Sequence, residues 1–109
     1  MSNQITRKFG ATYPQVVTFK DKGTGKPLAV TGWTDIKMYI DSSKMPPDTS
    51  TQVGVLDGLI GSKQGEVEFT ITTPINVGTY YYQIKYTDAA GYVGITDSDV
   101  FTIEQVIAK

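Results

Sequence analysis

Apolar and polar residues alternate along this chain with a period of two, and a helical period is nowhere sustained. In "TDIKMYID" the residues Ile36, Met38 and Ile40 fall on one side, against Asp35, Lys37, Tyr39 and Asp41. "GEVEFTIT" sets Val67, Phe69 and Ile71 against Glu66, Glu68 and Thr70. "QITRKFG" places Ile5, Arg7 and Phe9 together, and "QVVTFKD" sets Val17 and Phe19 against Thr18 and Lys20. Successive side chains of a strand point to opposite faces, so each stretch predicts a strand buried on one side. Between them, "KGTGKP" (Lys22 to Pro27) and "AAG" (Ala89 to Gly91) predict turns, and "SSKMPPDTST" predicts a loop. "TQVGVLDGLIG" predicts a hairpin of two short strands about an Asp57-Gly58 turn. Seven or eight strands with turns at short intervals predict an all-β fold, an antiparallel β-sandwich.

The segment "NVGTYYYQIKYTD" holds four of the chain's tyrosines. Parity puts Tyr80, Tyr82, Ile84 and Tyr86 on one face, and Thr79, Tyr81, Gln83, Lys85 and Thr87 on the other. The first set predicts a core stripe; Tyr81 is left on a polar face. Immunoglobulin-type sandwiches carry a tyrosine at the start of strand F, two residues before a cysteine position, whose hydroxyl bonds the backbone upstream. The spacing Gly78-x-Tyr80-x-Tyr82 predicts that corner at Tyr80, with Tyr82 filling the cysteine position and Gly78 suiting the tight turn before it. The expected core comprises Val17, Phe19, Ile36, Met38, Ile40, Val67, Phe69, Ile71, Tyr80, Tyr82, Ile84, Phe101 and Ile103.

At 109 residues the chain is large enough for one core, so residues 1–109 are expected to form a single immunoglobulin-like domain. Short flexible arms are expected at 1–4 and 104–109. A net charge of −1 with scattered basic residues argues against nucleic acid, which requires a concentrated basic face. Arg7 and Lys8 are adjacent, so a strand would point them to opposite faces. No apolar run reaches the ~20 residues that span a bilayer, so membrane insertion is not expected. No cleaved secretory signal is evident, which predicts a soluble protein made in a cytoplasm.

The order of motifs resembles a known family. "KPLAVTGWTDIKMYI", "GEVEFTI", "VGTYYYQIKYTDAAG" and the closing "VFTI" follow one another as they do in immunoglobulin-like domains of tailed-phage virion proteins. The resemblance runs from Lys26 to Ile103 and is nearest to the N-terminal domain of phage baseplate upper proteins. Related modules occur in tail-fibre, tail and head-surface proteins. This sequence differs by one extra residue near Trp33 or Thr34, and it closes at Lys109 where family members continue. The resemblance implies a non-enzymatic structural component of a phage tail, baseplate or fibre attachment, located in the virion and contacting other virion proteins in multiple copies. A capsid decoration protein is the alternative within that class.

Candidate chemistry is sparse. With neither histidine nor cysteine, the usual general base and the best side-chain nucleophile are missing, and so are zinc-thiolate sites. The carboxylates Asp35, Asp41, Glu66 and Glu68 could pair as in a glycosidase, but Glu66 and Glu68 lie two apart on the outer side of a strand, where solvated charge is the ordinary explanation. Asp88 with "TDSDV" could offer oxygens to calcium, yet aspartates beside a turn more often cap it. No enzyme activity and no cofactor are expected.

One constellation remains. In immunoglobulin topology strands C and F are neighbours, which would gather Trp33, Tyr39 and Tyr81 into an exposed patch beside Lys37, Gln83 and Lys85. Exposed aromatics among polar residues suit a protein–protein contact, or a platform for a glycan or a host-surface receptor. Alternatively, Trp33 caps the core at the strand entrance while Tyr39 and Tyr81 form an ordinary cross-strand pair.

Overall fold

The computed structural model describes residues 4–21, 23–71 and 75–107. The fold is all-β, with β1 (Ile5–Lys8), β2 (Gln15–Thr18), β3 (Thr34–Asp41), β4 (Gln52–Ile60), β5 (Glu66–Phe69), β6 (Gly78–Thr87), β7 (Val93–Ile95) and β8 (Asp99–Glu104). These form one curled sheet in the order β1-β8-β6-β3-β4-β5-β2, and β7 pairs with the end of β6. Pairing is antiparallel except that β1 lies parallel to β8.

The sheet doubles back on itself through β4. Residues 52–57 pair with β3 and residues 58–60 pair with β5, so one continuous strand serves both layers. The hairpin expected at Asp57-Gly58 does not form. Gly58 is instead a point of close packing: a side-chain carbon there would lie 2.8 Å from both Ile36 Cγ2 and Phe69 Cε1. The neighbours β2–β5 and β3–β6–β8 are those of an immunoglobulin arrangement. However, the shared β4 and the parallel β1 make a mixed sheet, not the two separate antiparallel sheets expected.

Between the layers lie Ile36, Met38, Ile40, Val67, Phe69, Tyr82, Ile84, Phe101 and Ile103, as the alternation predicts, together with Ile5, Val30, Leu56 and Ile75. Val17, Phe19, Ile71 and Tyr80 are only partly buried at its margins. Phe9, which alternation places on the side of Ile5 and Arg7, is exposed, because β1 ends at Lys8. Arg7 does keep that inward side and is 1% exposed, while Lys8 points out and pairs with Glu104 at 2.7 Å. That ion pair ties Glu104 into the sheet, so the C-terminal arm begins after it. Of the expected arms, residues 1–3 and 108–109 lie outside the described residues, as does Lys22 of the first predicted turn. No helix among the described residues is long and apolar enough to cross a membrane.

A candidate docking face

The outer face of β3, β4, β6, β7 and β8 is built by strand register. Tyr39 stands between Val55 on β4 and Gln83 on β6. Tyr81 stands between Asp41 on β3 and Val100 on β8. Lys37 stands between Asp57 and Lys85, and Lys85 faces Ile95 on β7. Five of the six residues expected in the patch are therefore together: Lys37, Tyr39, Tyr81, Gln83 and Lys85.

Trp33 is not with them. A register irregularity between Thr34 and Lys37, with Asp35 in a left-handed backbone conformation (φ 51°), inserts one extra residue on β3 relative to β6. A bulge of this kind reverses the side-chain parity before it, so Trp33 turns to the core side. There its ring stacks on Tyr86, with centroids 4.1 Å apart and planes within 3°. Phe19 meets both rings edge-on, at 5.2 and 5.9 Å. Trp33 closes one end of the core, as the alternative reading had it.

The face is less open at its aromatics than parity alone predicts. Tyr39 and Tyr81 are both half-buried, each set between neighbours on two adjacent strands. The exposed apolar area comes from residues outside the expected patch: Val53, Val55, Val93 and Ile95. Val55 was hidden by the hairpin expectation, which broke the alternation of β4. Gln83 is held in place by donating to the Thr96 carbonyl at 3.0 Å. Toward β1 the same face turns polar, with Thr79 beside Thr102 and Thr102 beside Thr6.

The remaining polar groups serve the fold. Asp41 accepts hydrogen bonds from Thr51 Oγ1 at 2.6 Å and the Ser43 amide at 2.9 Å, closing the long loop between β3 and β4. Asp88 accepts the Ala90 and Tyr92 amides, both at 2.9 Å, and so caps the β6–β7 turn. Tyr80 donates its hydroxyl to the Asn76 carbonyl at 2.8 Å, the corner bond that the spacing predicts. Burial, and secondarily the Asp99 carboxylate, pushes the Tyr82 hydroxyl up to about 12. No cluster of three metal-ligating side chains occurs among the described residues.

Alternation put Arg7 on the side of Ile5 and opposite to Lys8, but assigned its side chain no role. Its guanidinium donates to the carbonyls of Ala11 and Tyr13 and to Gln15 Oε1, and lies 4.1 Å from the Tyr13 ring centroid. Burial draws its pKa below the ordinary arginine value. Arg7 thereby straps the β1–β2 loop to the sheet. Beside it, a small open concavity is lined by Arg7, Lys8, Phe9, Ile71, Ile75 and Ile103.

No family model matches the chain, and no curated protein matches it in sequence. Among solved structures, it is similar to CopC from Methylosinus trichosporium OB3b, with a TM-score of 0.53 and 16% identity. The match covers 93% of this chain and 85% of that one. Likeness at this identity concerns the fold.

Proposed function

We propose that this protein is a non-enzymatic structural module of a tailed-phage particle that works by burying the outer face of β3 and β6 in an assembly. The observation that carries the proposal is the face itself. Tyr39, Tyr81, Val55 and Val100 make an aromatic and aliphatic centre on regular strands, and Lys37, Lys85 and Gln83 rim it. An apolar centre with a polar rim is the anatomy of a protein–protein contact. The sequence motifs shared with phage immunoglobulin-like domains add support, since "GEVEFTI" spans β5, "VGTYYYQIKYTDAAG" spans β6 with its turn, and "VFTI" lies in β8. Placement in tail, baseplate or fibre attachment follows from that resemblance, with a head-surface decoration role as the alternative. A glycan platform is less well supported, because Trp33 spends its ring on Tyr86.

The test compares two neighbouring tyrosines. Tyr81→Ala is expected to leave stability nearly unchanged, within about 1 kcal/mol for a half-buried outer residue, and to reduce incorporation into particles sharply. Tyr82→Ala is expected to lose ~3–5 kcal/mol as a buried aromatic. If a stable Tyr81→Ala protein incorporates at the wild-type level, this face is not the contact. Binding of the wild type on a glycan array, abolished by Tyr81→Ala, would support the adhesion role instead.

A further inference from the structure

The two outer faces of the sandwich carry opposite charge around apolar residues. On the front, Lys37 and Lys85 stand directly opposite each other across β3 and β6. Like charges in that relation disfavour strand pairing. Among the described residues, Asp57 is the one carboxylate paired with them, at 3.8 Å from Lys37, and Lys85 has no ion pair. Beside this cationic pair lie Val55, Ile95 and Val93, the last two 62% and 60% exposed.

On the back, Glu66 and Glu68 point outward from β5, while Val67 and Phe69 fill the core. Glu68 stands between Leu59 on β4 and Val16 on β2, which are 67% and 41% exposed. Neither glutamate has an ion pair among the described residues. The lysine stems are about 5 Å apart and the glutamates about 7 Å apart, by the spacing of cross-strand partners and of alternate residues. An anionic pair flanked by apolar side chains thus sits behind a cationic pair flanked by apolar side chains.

We propose that copies of this chain associate head to tail, the Glu66/Glu68 face of one seated on the Lys37/Lys85 face of the next. This rests on the front face being a docking surface, and it names the partner. The back face is only three short strands wide, so each contact is small and falls in the range of weak interfaces. A contact between two different faces leaves both ends of a pair open, and repetition builds a ring or a filament. The net charge of −1 sets up no bulk repulsion against this.

Sedimentation velocity on the whole chain tests the idea. Wild-type mass should rise with concentration at low salt, and the rise should vanish in about 1 M salt, where the Debye length is ~3 Å. The double variant Lys37→Glu with Lys85→Glu should stay monomeric, and so should Glu66→Lys with Glu68→Lys. All four changes are at outward positions, and circular dichroism checks that each protein is folded. An equimolar mixture of the two double variants should associate again, because each then supplies the charge that the other lacks. A wild type that is monomeric at about 1 mM, the scale of the weakest specific contacts, overturns the proposal. So does a mixture of folded variants that stays monomeric. A monomeric wild type whose particle incorporation is still abolished by Tyr81→Ala would leave the virion role standing with another partner.

Discussion

Tyr86 and Gly94 face each other across β6 and β7, and a side-chain carbon on Gly94 would overlap the tyrosine ring. The ring stands over the glycine and turns toward Trp33, which stacks on it. Gly94→Ala should therefore displace Tyr86 and loosen the end of the core, at a cost of about 1–3 kcal/mol. Denaturant unfolding checks the loss, and a shift in the fluorescence of the single tryptophan checks its cause. Tyr80 gives a gentler case. Removing its hydroxyl leaves the Asn76 carbonyl without that donor, so Tyr80→Phe should lose ~1 kcal/mol in the same measurement. Unchanged stability would reduce Tyr80 to plain filler. Tyr80 was legible in sequence because its spacing from Gly78 and Tyr82 is local. The burial of Arg7 was not, since an arginine at an inward position signals nothing until carbonyls from a distant loop converge on it.

At the scale of elements, β4 and the start of β3 depart most from local expectation. Asp-Gly between two apolar runs is a strong turn signal, yet the chain passes through Asp57 and Gly58 fully extended. The glycine is needed because β4 changes partners there, and Ile36, Phe69 and Val67 close over its vacant side. Gly58→Ala should accordingly be destabilising by roughly 1–3 kcal/mol through overpacking. If Gly58 instead served a turn, substitution would raise a backbone strain that Asn relieves. Gly58→Asn should therefore be worse than Gly58→Ala, because the asparagine is larger. Comparing the two midpoints of unfolding decides the matter. The bulge in β3 has the same character. Alternation placed Ile36, Met38 and Ile40 correctly, and failed only for Trp33 on the far side of the irregularity.

For the molecule as a whole, Tyr82 links the folded state to pH. Its hydroxyl is raised from the ordinary value near 10 to about 12, chiefly by burial. The stabilisation is fully present below the unfolded pKa. Between pH 10 and 12 the unfolded chain gives up this proton while the folded chain keeps it, so stability falls as pH rises. The contribution at stake is about 2–3 kcal/mol for two units of displacement. Other tyrosines and lysines titrate in the same window, so the informative quantity is a difference. Wild type should lose more stability than Tyr82→Phe between pH 10 and 12, and parallel curves would remove Tyr82 from the linkage.

The sequence by itself determined the all-β class, most strand positions, the inward stripes and the corner at Tyr80. Those rest on alternation and on spacings of a few residues, which act through local backbone geometry. Parity also assigned Lys37 and Tyr39 to one face of β3 and Tyr81, Gln83 and Lys85 to one face of β6, and the pairing of β3 with β6, expected from immunoglobulin topology, brings them together. Only the tertiary structure decided that β4 crosses from one layer to the other, that β1 lies parallel to β8, and that Trp33 turns inward to Tyr86. Each of these depends on partners far away along the chain. A glycine reads as a turn or as room for a neighbour according to what packs against it, and a bulge is invisible until a second strand supplies the register from which it departs.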